Sequence, residues 1–66
     1  MNRVRALNGY VVSLIERDQH NDYSVAYDYT LIITGRGEYR RYDCGSNPAI
    51  ALQAFDLACD RLSYQA

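Results

Sequence analysis

A regular alternation of apolar and polar side chains runs through residues 23–33, which read Y-S-V-A-Y-D-Y-T-L-I-I. The odd-numbered side chains are Tyr, Val, Leu and Ile, and most of the even-numbered ones are small or polar. Side chains on a strand alternate between two faces, and Tyr, Val, Ile and Thr are typical strand residues. The pattern predicts a long central strand over residues 23–34, with one apolar face and one mostly polar face.

A first strand is predicted over residues 10–17, Y-V-V-S-L-I-E-R, which carry apolar side chains on both faces. The polar cluster D-Q-H-N at residues 18–21 predicts a four-residue hairpin loop. That loop would pair Leu14 with Val25 and would place the apolar residues of both strands on one face. A slip of one residue would move one of these sets to the opposite face.

A third strand is predicted over residues 37–44, G-E-Y-R-R-Y-D-C, at the outer edge of the sheet. The preceding dipeptide Gly35-Arg36 predicts a two-residue turn, because glycine suits the first central position of a type II′ turn. This turn would place Tyr42 opposite Tyr29 on the apolar face of the sheet.

The sequence G-S-N-P at residues 45–48 predicts the start of a C-terminal helix over residues 48–63. Ser46 or Asn47 could cap the helix, and Pro48 suits its first turn, where no backbone N–H is needed. The apolar residues that follow recur at helical spacing. The predicted core stripe consists of Ala51, Leu52, Phe55, Ala58, Cys59 and Leu62, and the polar stripe of Gln53, Asp56 and Asp60.

Together these elements predict one α+β domain over residues 1–66, a three-stranded antiparallel β-meander with the helix packed on one face (β-β-β-α). Residues 1–8 are predicted to form a frayed arm or a single turn before the turn signal Asn8-Gly9. A chain of 66 residues has room for one domain only. A chain of this length buries only about 60% of its unfolded surface, so its stability could depend on a partner or a dimer.

Composition and charge argue against several classes of protein function and location. The chain has seven basic and eight acidic residues, and every basic side chain is Arg. A net charge of −1 argues against a general nucleic-acid binder. The polar, basic segment from Met1 to Leu7 does not read as a signal peptide, and no apolar run approaches the roughly 20 residues of a membrane span. We expect a soluble, cytoplasmic protein in which Cys44 and Cys59 are free, buried thiols.

No set of residues predicts catalysis or a cofactor. His20 is the single His and lies in the predicted hairpin loop, without a pocket in which it could act as a general base. Cys44, Cys59 and His20 are too scattered to predict a metal site, and the acidic residues of the first hairpin lack the spacing of a calcium loop. We expect the protein not to be an enzyme and to bind no cofactor.

Nucleic-acid binding is an alternative interpretation. Three strands and a helix opening at G-S-N-P-A-I-A-L resemble the second half of a double-stranded-RNA-binding domain, over residues 10–62. Those domains grip phosphates with lysines at the start of this helix. This chain has Ser46, Asn47 and Pro48 there, so the phosphate clamp does not carry over. A small regulator could instead use Arg36, Arg40 and Arg41, although Glu38 and Asp43 interleave with them and few phosphates would be neutralised.

Protein binding is the leading interpretation, because the predicted sheet leaves a mixed face of Tyr, Arg, Asp and aliphatic residues opposite the helix. Such a composition is enriched at protein interfaces. The same face could also mediate homo-oligomerisation. The predicted binding residues on this face are Val11, Ile15, Asp28, Ile32, Tyr39 and Arg41. A second-choice acidic surface consists of Glu16, Asp18 and Asp22 on the first hairpin and Asp56 and Asp60 on the helix.

Four features together give the chain a resemblance to a known class of small proteins. They are its small size, the absence of a catalytic set, the strand sequence E-Y-R-R-Y and the helix after G-S-N-P. It resembles the compact single-domain proteins that phages encode to inhibit host defence, including anti-CRISPR proteins. The resemblance implies stoichiometric binding to a CRISPR effector subunit or a similar nucleic-acid-binding protein, in the host cytoplasm, with access of target DNA blocked.

Overall fold

A computed structural model describes the backbone of residues 2–20 and 25–64, and the side chains of these residues except 19, 20, 25 and 26. The fold is α+β, an open antiparallel sheet followed by one C-terminal helix, as the sequence predicts. The sheet has four strands in the order β1-β2-β3-β4, so the prediction of three strands is wrong. The elements are β1 (Arg3–Leu7), β2 (Tyr10–His20), β3 (Val25–Gly35), β4 (Glu38–Asp43) and α1 (Pro48–Ser63).

The strand β1 replaces the predicted N-terminal arm. It pairs antiparallel with β2, so that Leu7 lies opposite Tyr10 across the two-residue turn Asn8-Gly9. Both turn residues have positive φ, 52° for Asn8 and 82° for Gly9, as a type I′ hairpin turn requires. Asn-Gly is a strong signal for this turn, and R-V-R-A-L is too short for its alternation to predict a strand without that signal.

The pairing of β2 with β3 differs from the predicted register. Leu14 lies opposite Leu31 rather than Val25, a shift of six residues. The strand β2 also continues to His20, so most of the predicted loop is strand, and residues 21–24 lie outside the description. Because the shift is an even number of residues, each side chain stays on its predicted face. Alternation therefore determines the face of each residue, but not which of several even registers forms.

The turn between β3 and β4 is Arg36-Gly37, with φ of 50° and 76°, and not Gly35-Arg36. Gly35 ends β3 with φ of 136°, and a Cβ atom built there would collide with the carbonyl oxygen of Gly9. Glycine is therefore needed at this position to let the two chain segments approach. As predicted, β4 is an edge strand, but Tyr42 lies opposite Leu31 and not Tyr29.

The helix α1 has the predicted bounds. The Asn47 side chain caps it, because its Oδ1 accepts a hydrogen bond from the backbone N–H of Ala49 at 2.9 Å, and Pro48 occupies the first turn. At the other end, Asn8 Nδ2 donates to the carbonyl oxygen of Leu62 at 2.7 Å. The C-terminal end of α1 therefore lies at the β1–β2 turn.

The hydrophobic core lies between α1 and one face of the sheet. Val12 and Leu14 are fully buried at its centre. Burying such a side chain contributes about 1.5–3 kcal/mol. As predicted, the helix faces the sheet with its apolar stripe, and the polar stripe is exposed. The buried residues of the core are Tyr10, Val12, Leu14, Tyr29, Leu31, Ala51, Phe55, Cys59 and Leu62.

The helix does not cover the whole sheet. Within the described residues, α1 packs over β1, β2 and β3, and none of its Cα atoms comes within 8 Å of a Cα atom of β4. The strand β4 is therefore exposed along its length. Tyr42, predicted to lie under the helix, is 46% exposed for this reason.

Candidate binding surface

The face of the sheet opposite α1 is not covered by any described element, and we call it the open face. Strand alternation and the observed registers decide which side chains reach it. All six residues of the predicted binding face lie on it, because the register shifts preserve the face of each residue. These residues are Val11, Ile15, Asp28, Ile32, Tyr39 and Arg41.

The open face carries large apolar side chains between the polar residues Ser13, Thr30 and Thr34. Val11 and Tyr39 are exposed, and Ile15 and Ile32 are half-buried by their neighbours within the sheet. An antiparallel sheet with one solvated face ordinarily has polar residues on that face. Large exposed apolar patches on small proteins mark interaction sites. The open face therefore has the composition of an interface.

The strand β1 adds residues that the sequence analysis did not include. Val4 lies opposite Ser13 and Ala6 lies opposite Val11, so both side chains share the open face. Val4 is 70% exposed. These residues were missed because residues 1–8 were interpreted as an arm. The Asn8-Gly9 turn was the signal that could have placed them in a strand.

One end of the open face is charged. Arg17 lies opposite Asp28, and a guanidinium nitrogen of Arg41 lies 3.9 Å from a carboxylate oxygen of Asp43. These four side chains line a pocket of about 330 Å³ around the buried Thr30. Exposed ion pairs contribute little to affinity, but charges of both signs determine how a partner is oriented.

The second-choice acidic surface does not form one patch. Asp56 and Asp60 are exposed one turn apart on α1, on the side away from the sheet. Glu16 and Asp18 lie on β2, on the face that carries the core, and Asp22 lies outside the described residues. Helix α1 ends at the β1–β2 turn, whereas Glu16 lies six residues after the start of β2, about 20 Å along the strand.

The arginines of the alternative nucleic-acid interpretation point in different directions. Arg36 lies in the β3–β4 turn with its guanidinium carbon 5.1 Å from the ring centroid of Tyr10, at cation–π distance. Arg40 lies on the helix side of β4, and Arg41 lies on the open face. The three side chains therefore do not form a single basic stripe.

The cysteines are free thiols, with Cys44 half-buried and Cys59 buried. Burial raises the pKa of both thiols above its ordinary value. No group of three or more His, Cys, Asp or Glu among the described residues could hold a metal ion. His20 ends β2 rather than lying in a loop, and its side chain lies outside the description.

Comparison with models of protein families, with characterised proteins and with solved structures finds no match to this chain. Among the described residues, no helix is long and apolar enough to cross a membrane.

Proposed function

We propose that this protein is a non-enzymatic binding protein that docks on a partner protein through the open face of its sheet. The observation that carries the proposal is a set of apolar side chains on the open face, interspersed with Ser and Thr, that no described element covers. These side chains are Val4, Val11, Ile15, Ile32 and Tyr39. Tyr39 is 66% exposed, and a Tyr side chain supplies a large contact area at a small cost in conformational entropy. The charged end beside it favours one orientation of the partner.

The proposed partner is a nucleic-acid-binding host complex, with a CRISPR effector subunit as the first candidate. The resemblance to phage-encoded inhibitors supports this choice, together with the size of the domain and its surface of Tyr, Arg and aliphatic residues. Binding would block access of DNA to the effector at a ratio of one protein per site. The proposed location is the cytoplasm of the host cell.

A competition assay with purified CRISPR effector complexes tests the proposal. The wild-type protein is expected to prevent binding of labelled target DNA at stoichiometric concentration. Ile32→Asp and Tyr39→Ala should each remove this inhibition, because they place a charge or a gap in the apolar part of the open face. Circular dichroism must show that both variants fold. If the folded variants inhibit normally, the open face is not the binding surface.

The matched control is the double variant Asp56→Arg/Asp60→Arg, which changes the exposed stripe of α1 and leaves the open face intact. It is expected to inhibit like the wild type. Loss of inhibition in this variant alone would move the site to the helix. Failure of the wild-type protein to inhibit any effector complex would overturn the proposed partner.

Two alternatives make different predictions. A nucleic-acid-binding regulator would retard labelled DNA or RNA in a mobility-shift assay at low salt. Arg→Ala changes at positions 36, 40 and 41 would abolish this binding. The separation of these side chains disfavours that function. Homo-oligomerisation through the open face would raise the mass in light scattering with concentration, and Ile32→Asp would restore a monomer.

A further inference from the structure

A second uncovered surface lies on the other side of the sheet, between α1 and β4. It is a groove of about 640 Å³, and it exists because the helix packs over β1 to β3 and leaves β4 without a covering element. Pockets that bind small molecules have volumes of about 300–1,000 Å³. The groove is separated from the open face by the sheet itself.

The walls and floor of the groove are mainly apolar. Leu31 and Ile33 of β3 form part of its floor, and the helix contributes Ile50 and Leu57 to one wall. Tyr42 contributes to the opposite wall. These helix and β4 side chains are large and hydrophobic, yet each is about half exposed, so they lie beside the core without being covered by it. An apolar ligand in the groove would remove this surface from water.

Two guanidinium groups lie at one end of the groove. Arg61 is in the last turn of α1, next to Leu62, whose carbonyl oxygen is bound by Asn8 of the β1–β2 turn. Arg40 lies on the helix side of β4, three residues after the β3–β4 turn at this same end of the sheet. Glu38 is 3.9 Å from Arg40, at the limit of an ion pair, and both side chains are exposed. Such a pair is weak, and Arg40 also interacts with the half-exposed side chain of Tyr42, so an anion would compete with these two exposed contacts.

The opposite end of the groove lacks such a basic pair. Cys44 follows β4 there, and Ile50 is in the first turn of α1. Asp43 also lines this end, but its carboxylate is strongly exposed and lies near Arg41 of the open face. The groove is therefore polarised, with positive charge at the turn end and an apolar channel leading away from it.

The dimensions of the groove fit one extended chain. Cys44 follows Arg40 by four residues along β4 and just past its end, about 13 Å at a rise of about 3.3 Å per residue. Along the helix, Ile50 and Arg61 are eleven residues apart, about 16 Å at a rise of 1.5 Å per residue. A groove of this volume and length is narrower than a helical peptide, which is about 10 Å wide with its side chains.

We propose that the groove binds a small amphipathic carboxylate of the medium-chain fatty acid class. The carboxylate lies between Arg40 and Arg61, because guanidinium groups form strong charge-assisted hydrogen bonds with carboxylates. The hydrocarbon chain extends along Ile50 and Ala54 toward Cys44. This proposal does not depend on the proposed function, since the two surfaces lie on opposite sides of the sheet.

Isothermal titration of the full chain with decanoate, and with decanol as its uncharged counterpart, tests the proposal. Decanoate is expected to bind at one site and more tightly than decanol, and the double variant Arg40→Gln/Arg61→Gln should weaken decanoate binding about tenfold while changing decanol binding less than about twofold. The matched control Arg3→Gln/Arg17→Gln removes the same charge outside the groove and should leave both affinities unchanged. Equal loss in the two double variants would show that net charge, and not the groove, binds the anion.

Alkylation of Cys44 gives a readout that reports on the groove itself. Decanoate should slow the reaction of this half-buried thiol with iodoacetamide in the wild type and not in Leu57→Glu, which places a carboxylate beside the two arginines. Leu57 is exposed, so this variant should fold. The proposal is overturned if decanoate shows no saturable binding up to its solubility limit, or if it binds without protecting Cys44.

Discussion

Val11 and Val12 are neighbours in β2 with the same side chain, yet Val11 is 39% exposed and Val12 is fully buried. The difference lies in what faces them, since α1 covers the face that carries Val12 and no described element covers the face that carries Val11. The covered face excludes water and stabilises the fold. The open face has similar apolar residues that contribute less to folding, and these residues remain available to a partner.

The largest expected effect of a substitution is on the covered face. Leu14→Ala removes a fully buried side chain under the helix and should lower the free energy of unfolding by about 2–5 kcal/mol. A domain of 66 residues has a total of roughly 3–10 kcal/mol, so the variant should be close to unfolded. Urea denaturation followed by circular dichroism measures the change. The control Leu57→Ala alters an exposed leucine and should cost much less, and equal losses would contradict the assigned core.

Gly35→Ala tests the close approach of two turns at the end of the sheet where the helix ends. The new Cβ would collide with the carbonyl oxygen of Gly9, and φ at this position is 136°, so a loss of about 1–3 kcal/mol or more is expected. The control Gly37→Ala also has positive φ, but its Cβ would enter open space, and the loss should be about 1 kcal/mol. If the control loses as much as Gly35→Ala, strain in φ and not the contact limits this position.

Asn47→Ala weakens the start of α1, the helix that covers one face of the sheet and leaves the other face open. It removes the side-chain acceptor for the N–H of Ala49 and should cost about 1 kcal/mol in the free energy of unfolding. The neighbouring Ser46→Ala change should have a smaller effect, because Asn47 is the capping residue. Thermal denaturation of both variants measures the difference. A larger loss of stability in Ser46→Ala than in Asn47→Ala would contradict the assignment of Asn47 as the capping residue.

The smallest effect is expected on the open face. Val11→Thr exchanges a methyl group for a hydroxyl at an exposed position and should change the free energy of unfolding by no more than about 0.5 kcal/mol. The same exchange at the next position, Val12→Thr, buries a hydroxyl and should cost about 1–3 kcal/mol. Chemical denaturation of the two variants measures how much the covering helix adds to the cost of the same substitution. Equal changes at both positions would contradict the description of one face as open.

The sequence predicted the helix and the faces of the strands because both depend on local chemistry. Asn47 and Pro48 define a helix start by hydrogen bonding and by a fixed φ, and the apolar stripe has helical spacing. Alternation assigned the six predicted residues of the open face correctly. That these residues bind a partner remains a proposal.

The number of strands and the pairing registers were predicted less well. The strand β1 is short, and only its hairpin turn and its pairing with β2 identify it. The true register of β2 with β3 differs from the predicted one by an even number of residues, which leaves every side chain on its predicted face. Patterns of apolar residues have a period of two and cannot separate such registers.

By itself, the sequence determined which residues could be buried, through hydrophobic periodicity and capping. The tertiary structure decided which of them are buried, through the position of one helix over three of four strands. Tyr29 and Tyr42 have the same side chain and reach the same face, but Tyr29 is buried and Tyr42 borders an open groove. Burial depends on contacts between segments distant in the chain, and no local pattern specifies which strands the helix covers.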